Sequence, residues 1–489
     1  MKTSRRKFLK LGFAAGAGWI TAGATGCASP LPRRQHLSSA NGDLRVAVVG
    51  LRTKGRAHID DLLAHKGVRI VALCDVDSDI LASRVSLLKK HGISAVAHVD
   101  YRRILEMADV DAVVLATPNH QHTLQTIWAC QAGKDVYVEK PVSHDVYESR
   151  QIAAAAVKYD RIVQSGTQNR SDVGLVELKE FIEKGDMGRI RLVRGLCYRL
   201  RPSIGRVAGP QPIPKSVDYD LWAGPAPLEP IMRKEFHYDW HWNWNTGNGE
   251  IGNQGVHELD LGRWFLGEKE LPGRVLSIGG RLGYVDDGQT PNTQFVCFDY
   301  PSAPFIFEVR GLPLRPGYDS PSYRQIRVGV VVEFESGYFA GGRGGGWLYD
   351  TKDKRIRQFK GDGGSGHMQN FLDAVRARSG KSLHAPVREG ALSSSLVHMA
   401  NLAHRAGNSL STEAIAEQLQ MNTVAQEAFG RMAEHLEANK INLKNTRLTL
   451  GGWLEWDNSG SRFSSGAGAE QANLLLRRTC RGPFIVPEI

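Results

Sequence analysis

Cysteine is scarce, with 6 in 489 residues, and no two stand in a C-x-x-C pair. That excludes a disulfide framework and a cysteine-built zinc site, and Cys74, Cys130, Cys197, Cys297 and Cys480 read as small buried hydrophobes. No H-E-x-x-H occurs, because His257-Glu258-Leu259-Asp260 lacks the second histidine, and the sequence implies no metal. The glycine-rich segments 340–346 and 361–366 lack the Lys-Ser/Thr of a P-loop and read as mobile connections. No basic run is interleaved with aromatics. The net charge of +11 shrinks to 57 basic against 51 acidic residues once residues 1–26 are set aside, so nucleic acid is not an expected partner. What remains is a chain with 42% hydrophobic and 23% charged residues, which excludes intrinsic disorder and is long enough for two or three domains.

The first 34 residues contain no acid. Ser4-Arg5-Arg6-Lys7-Phe8-Leu9-Lys10 precedes a Gly/Ala-rich apolar stretch, Leu11 to Ala24, too short for a comfortable membrane span. The pattern resembles a twin-arginine signal. The export machinery is then a partner, and the expected location is outside the cytoplasm, in the periplasm. Ala24-Thr25-Gly26-Cys27 resembles a lipoprotein cleavage box, which would place lipid on Cys27; the alternative is an ordinary cleavage site nearby. This export route carries folded proteins, which suits one that traps a soluble cofactor before leaving.

Residues 44–49 are an apolar run fitting a buried parallel strand, followed by Gly50-Leu51-Arg52-Thr53-Lys54-Gly55 and a helical segment. Gly50 and Gly55 occupy the outer positions of a G-x-G-x-x-G turn, and Arg52 replaces the middle glycine. A second strand, 68–74, ends at Asp75, at the spacing where a carboxylate meets an adenosine ribose. Asp75 favours NAD over NADP, a preference softened by Arg52, Lys54 and Arg56; the alternative is that it caps the next turn. Strands and helices keep alternating to residue 138, predicting a doubly wound parallel sheet with ligands at the carboxyl ends of its strands. Two motifs fall at such ends: Thr117-Pro118-Asn119-His120-Gln121-His122 and Glu139-Lys140-Pro141. Proline at 141 holds Lys140 extended at its strand end, where its ammonium can meet a substrate hydroxyl.

These blocks, together with Ala132-Gly133-Lys134 and Gly252-Asn253-Gln254-Gly255-Val256-His257-x-x-Asp260-x-x-x-Trp264, resemble the Gfo/Idh/MocA oxidoreductases from about Leu44 to Gly407. The resemblance implies an α/β protein: an N-terminal Rossmann doubly wound parallel sheet plus a C-terminal α+β domain with an open, mostly antiparallel sheet. The expected division is a signal peptide at 1–27, a linker at 28–43, an NAD-binding domain at 44–166, a substrate and oligomerisation domain at 167–410 and a helical extension at 411–489. Helices near 367–406 would pack back on the first domain, and the extension would serve packing or contacts within a homo-oligomer. The implied cofactor-binding residues are Gly50, Arg52, Gly55, Asp75, Thr117, Pro118, Asn119, His122, Glu139, Lys140 and Gln168. The active-site groups carry over to Lys140 and His257, while the family's aspartate falls on Asn253. Asparagine orients a hydroxyl but takes no proton. His257, with an ordinary pKa of about 6.5, is then the expected general base.

Five segments between 189 and 335 have the look of the second sheet's strands, and Arg170 stands at the entry to that half as a candidate substrate contact. Residues 236–245, Phe-His-Tyr-Asp-Trp-His-Trp-Asn-Trp-Asn, place Trp240, Trp242 and Trp244 on one face if extended. Alternating aromatics and hydrogen-bonding side chains suit a carbohydrate; the alternative is that the tryptophans seal a core. The resemblance implies hydride transfer between a nicotinamide and a sugar or cyclitol hydroxyl. Outside the cytoplasm no NAD pool is replenished, so the dinucleotide is expected to stay bound and be regenerated within the cycle. Two alternatives stay open: a glycosidase working by oxidation, elimination, hydration and reduction, and a lipoprotein that binds glycans or nucleotides without turnover.

Overall fold

The computed structural model describes residues 42–489. The export signal and Cys27 lie outside the described residues.

Leu44, Val46, Val48 and Val49 are almost wholly buried, each contributing about 1.5–3 kcal/mol of apolar burial. They form β1 (Leu44–Val49), which leads through the glycine turn into α1 (Thr53–Ala64). The alternation continues through β2 (Val68–Cys74), α2 (Ser78–Lys90), β3 (Val96–His98), α3 (Tyr101–Glu106), β4 (Ala112–Leu115), α4 (Asn119–Gln131), β5 (Asp135–Val138), α5 (Val146–Lys158) and β6 (Val163–Ser165). Every pairing is parallel and the order is β3-β2-β1-β4-β5-β6. This is the doubly wound sheet the sequence calls for. Its strand order reverses between β1 and β4, the switch point where such sheets open a crevice.

The second half opens with α6 (Val173–Lys184) and β7 (Ile190–Tyr198). Three short or medium helices follow: α7 (Tyr219–Ala223), α8 (Gly249–Asn253) and α9 (Val256–Leu266). Then come β8 (Arg274–Gly280), β9 (Thr293–Asp299), β10 (Pro304–Arg310), β11 (Val328–Phe334), β12 (Gly337–Gly342), β13 (Gly345–Asp350) and β14 (Arg355–Lys360). These strands form a mixed sheet, antiparallel apart from the β7–β10 pair. Phenylalanines 298, 305, 307, 339 and 359 fill its core against α6 and α9.

Two expectations are corrected here. Segment 340–346 is a hairpin between β12 and β13, not a mobile connection. A Cβ at Gly341 or Gly346 would sit 2.5 Å from the Phe339 ring, so glycine is what lets that ring lie across both strands. The buried Asp172 carboxylate accepts the amides of Gly344 and Gly363 at 2.8 Å each and pins both glycine-rich segments. The extension past 411 is also not purely helical. After β15 (Asn408–Leu410), α12 (Thr412–Gln418) and α13 (Thr423–Ala438), β16 (Leu448–Asp457) joins the sheet beside β8, with β17 (Arg462–Ser465) paired to it. Leu448, Leu450, Leu454 and Trp456 are buried at period two, a strand signature interrupted in the sequence by Gly451-Gly452.

Helices α10 (His367–Ala377) and α11 (Val387–Arg405) precede that addition. The latter joins the halves: Val387 and Ala391 belong to the first core, while Leu396, Val397, Ala400 and Ala403 belong to the second. Close approach requires Gly390, where a Cβ would stand 2.4 Å from Ser165 Oγ.

Candidate active site

The crevice at the switch point is a cavity of about 590 Å³ whose walls come from both halves. Gly50 has φ +79, and a Cβ there would strike the Ala116–Thr117 backbone at 2.7 Å. A Cβ at Gly55 would fall 1.7 Å from Gly50 O, so the turn closes only with glycine at both positions. Arg52, in place of the middle glycine, lines the crevice. Asp75 terminates β2; its carboxylate accepts the amides of Leu51 at 2.6 Å and Asp77 at 2.9 Å. Burial raises its pKa, and those two amides oppose the rise. Each carboxylate oxygen can accept one more hydrogen bond, and Asp75 lines the crevice.

The two motifs at strand ends are bound to each other. His122 lies on α4, with Nδ1 2.7 Å from Pro141 O and Nε2 2.7 Å from Thr117 O, so it spans the ends of β4 and β5. Thr117 Oγ1 donates to Gln125 at 2.7 Å. Asn119 Nδ2 donates to Asn248 Oδ1 at 2.5 Å, and its own Oδ1 is buried without a partner among the described residues. The structure starts α4 at Asn119, so this motif is a helix N-terminus with Pro118 ahead of it.

Glu139 is the hub of the catalytic end. It accepts from His58 Nε2 at 2.9 Å and Gln168 Nε2 at 2.9 Å, and pairs with Lys54 Nζ at 3.2 Å. Burial alone would raise its pKa, but Lys54, His58 and Lys140 together hold it well below the usual range. Gln168 therefore holds Glu139, with a second bond to Tyr137 Oη at 2.8 Å, and does not itself line the crevice. Lys140 does line it. Its Nζ donates to the backbone O of Asn253 at 2.7 Å, and burial followed by the Lys54 charge lowers its pKa, against the pull of Glu139.

Asn253 ends α8 and faces the crevice, with its Nδ2 donating to Glu250 Oε2 at 3.2 Å. His257, one turn on, is not a lining side chain. Burial, then the Lys140 charge, pushes its pKa well below 6.5, and its Nδ1 has no partner among the described residues. His257 thus lies outside the lining, and among the described residues the crevice-lining amine with a lowered pKa is Lys140. Beside His257, Glu258 is buried and raised to about 8 by burial, and Gln254 Nε2 donates to it at 3.2 Å.

Three sequence-derived substrate contacts are displaced. Residues 239–242 form a 3-10 turn rather than an extended strand, which breaks the alternation. Trp240 lines the crevice, stacked on His241 at 3.7 Å. Trp242 is buried in the core, and Trp244 lines a different cavity under Arg405. Arg170 does not reach the crevice either. Its buried guanidinium holds Asp260 at 2.8 Å and Glu389 at 3.2 Å, locking η-turn residues 168–171 to α9 and α11.

The sequence reading missed Arg199, Arg201 and Tyr238, which line the crevice opposite the glycine turn, and Phe484 from the C-terminal tail. Arg201 forks onto Glu250 at 2.8 Å twice, whereas Arg199 meets only the neutral Gln254 Oε1 at 2.8 Å. The signal was the position of both arginines just past the end of β7.

Residues 44–167 match "Oxidoreductase family, NAD-binding Rossmann fold" and residues 189–278 match "Oxidoreductase family, C-terminal alpha/beta domain" of the Gfo/Idh/MocA group. These two segments, residues 44–167 and 189–278, are thus similar to the two domains of the Gfo/Idh/MocA oxidoreductases. Inositol 2-dehydrogenase of Salmonella typhimurium is 32% identical over 158 residues, 32% of this chain and 46% of that protein. The Rhodococcus erythropolis enzyme of the same name is 34% identical over 167 residues, 34% of this chain and 47% of its own length. The chain thus spans about half the length of these curated relatives. In fold, this chain is similar to the WlbA dehydrogenase of Bordetella pertussis, solved with NADH and UDP-GlcNAcA (TM-score 0.55, 20% identity, 73% of this chain and 95% of that one). Levoglucosan dehydrogenase, solved with NADH, superposes with TM-score 0.56 at 18% identity, covering 73% and 97% of the two chains. The residues at the first-domain end of the crevice fit a dinucleotide: a tight turn that closes only with glycine at 50 and 55, a strand-end carboxylate, and the Asn119 acceptor, orphaned among the described residues.

Proposed function

We propose that the chain is an NAD-dependent oxidoreductase that oxidises or reduces a carbon bearing a hydroxyl group on a sugar, glycoside or cyclitol. The observation that carries this reading is the Lys140 ammonium in the wall of a crevice that also holds the glycine turn, Asp75 and the Trp240–His241 stack.

Gly50, Arg52, Asp75, Thr117, Pro118 and Asn119 would hold the dinucleotide, and the nicotinamide, when bound, supplies a hydride acceptor or donor. Asp75 favours the free ribose hydroxyls of NAD, since a 2′-phosphate would meet its carboxylate at close range. Lys140, with its pKa lowered by burial, exchanges a proton with the substrate hydroxyl and stabilises the oxyanion that develops on it. Glu139 limits how far that pKa falls, and Lys54 and His58 hold Glu139 ionised. Asn253, through its backbone oxygen, fixes the Lys140 amine. Trp240 offers an apolar face to the sugar's CH groups. The twin-arginine pattern supports an exported protein, and an exported enzyme without an external pool keeps its dinucleotide bound.

The test is the near-ultraviolet absorbance of reduced nicotinamide after mixing the full chain with NAD and a panel of glycosides and cyclitols. Wild type reduces the nucleotide with at least one of them, and Lys140→Ala loses about 10²–10⁴-fold in rate while binding NAD normally. An undiminished rate in Lys140→Ala would place the chemistry elsewhere.

A further inference from the structure

A second cavity, of about 550 Å³, shares Asn248 as a wall with the dinucleotide crevice. It is enclosed by the start of α5, the end of α11, part of segment 227–248 and the tail at 474–481. Its walls hold an unusual set of orphaned groups. Both ring nitrogens of His144, Nδ1 of His398 and Oδ1 of Asn401 have no partner among the described residues, though these side chains are only 8%, 3% and 4% exposed. Each such group left alone costs about 1–3 kcal/mol; the atoms are closed to water as they stand, so a polar occupant meets them through a rotation of the His144 and Asn401 side chains.

The charges in the wall name its sign. Arg405 stacks over Trp244 at 5.2 Å and Arg477 over Tyr147 at 4.0 Å, and among the described residues neither forms an ion pair. The acids accept hydrogen bonds. Glu229 accepts from Asn245 at 2.7 Å, and Asp145 accepts the amides of Glu148 at 2.8 Å and Arg478 at 3.0 Å. Arg405, Arg477 and Glu229 are all exposed and, among the described residues, none of the three forms an ion pair, so two free cations against one free carboxylate leave the rim net positive, which favours an anion.

The neutral groups name the rest. Burial, then the Arg478 charge, holds His144 well below its usual pKa, so at neutral pH it offers one donor and one acceptor. Asn401 Oδ1 accepts only, and its Nδ2 is spent on Asn248 O at 2.9 Å. A hydroxyl supplies donor and acceptor together. The Trp244 ring and Leu402 add apolar surface for CH groups.

From these groups we infer that the cavity is a second binding site, separate from the catalytic crevice, for a polyhydroxylated anion: a sugar acid or a sugar phosphate. Asn248 joins it to the crevice, since its Oδ1 takes the Asn119 amide while its Nδ2 donates to His144 O at 3.1 Å.

Isothermal titration of the full chain, with NAD saturating the crevice, tests the inference using D-glucuronate, D-glucose 6-phosphate and neutral D-glucose. At least one anion binds and glucose does not, and the responding anion identifies a carboxylate or a phosphate as the head group. Arg405→Met weakens that binding at least tenfold and Arg405→Lys less than threefold. Trp240→Ala, which alters only the crevice, leaves it unchanged. Silence with both anions, equal affinity in Arg405→Met, or loss in Trp240→Ala would overturn the inference.

Discussion

Asn253→Asp is expected to destabilise this chain. Asn253 Nδ2 donates to Glu250 Oε2 at 3.2 Å. An aspartate would set a second carboxylate oxygen at that distance, where two unit charges repel by roughly 5 kcal/mol at an effective dielectric of about 20. Arg201, forked on Glu250, and the nearby Lys140 offset part of this. Proton uptake sets a ceiling. Holding a carboxyl of ordinary pKa about 4 protonated at pH 8 costs about 5.6 kcal/mol, at about 1.4 kcal/mol per pKa unit. The expected loss is therefore about 2–4 kcal/mol near pH 8. Its sign with pH follows from linkage: the folded-state pKa is raised, so the penalty vanishes below the unfolded value near 4. It then grows by up to about 1.4 kcal/mol per pH unit until the folded pKa is reached. Thermal midpoints of the variant and wild type, compared at about pH 5 and about pH 8, read this directly. A gap that is the same at both values, or a variant more stable than wild type at the higher one, would refute the reasoning.

Gly55→Ala forces its Cβ into Gly50 O, so the turn must open, and dinucleotide affinity should fall at least tenfold by titration; unchanged affinity would mean the turn is not the cradle. Trp240→Ala should raise KM for the sugar severalfold while Trp244→Ala leaves it alone, because only Trp240 lines the crevice; steady-state kinetics on both variants decide this. Asp260→Asn strips the buried Arg170 of its shortest ion pair and should cost about 3–5 kcal/mol of stability, read by denaturant unfolding. A near-neutral result would mean that Glu389 alone satisfies the guanidinium.

Much of the fold was legible because its signals are local. The run 44–49, the glycine turn and the regular alternation to residue 138 each specify their own element, and the sheet order follows from packing such units. The strand-end position of Lys140 was legible for the same reason, since proline at 141 marks where β5 stops. What was hidden depends on contacts distant in sequence. The Trp240–Trp244 alternation suggested a strand, yet local 3-10 bonding and the packing of Trp242 overrode it. Glycines 341 and 346 imitate a flexible loop until Phe339 is seen lying across them. Arg170 reads as a crevice residue until the carboxylates of Asp260 and Glu389, 90 and more positions away, claim it. The pKa of His257 is likewise set by burial and by Lys140, 117 residues earlier in the chain.

The central claim is that a pyridine nucleotide occupies the crevice between Gly50, Asp75 and Lys140. The most direct measurement is the nucleotide content of the freshly purified protein: heat-denature it, remove the precipitate and assay the supernatant for NAD(H). The account predicts close to one equivalent per chain, predominantly NAD(H) rather than NADP(H). A supernatant free of pyridine nucleotide, from a protein that also fails to bind added NAD by titration, would contradict it.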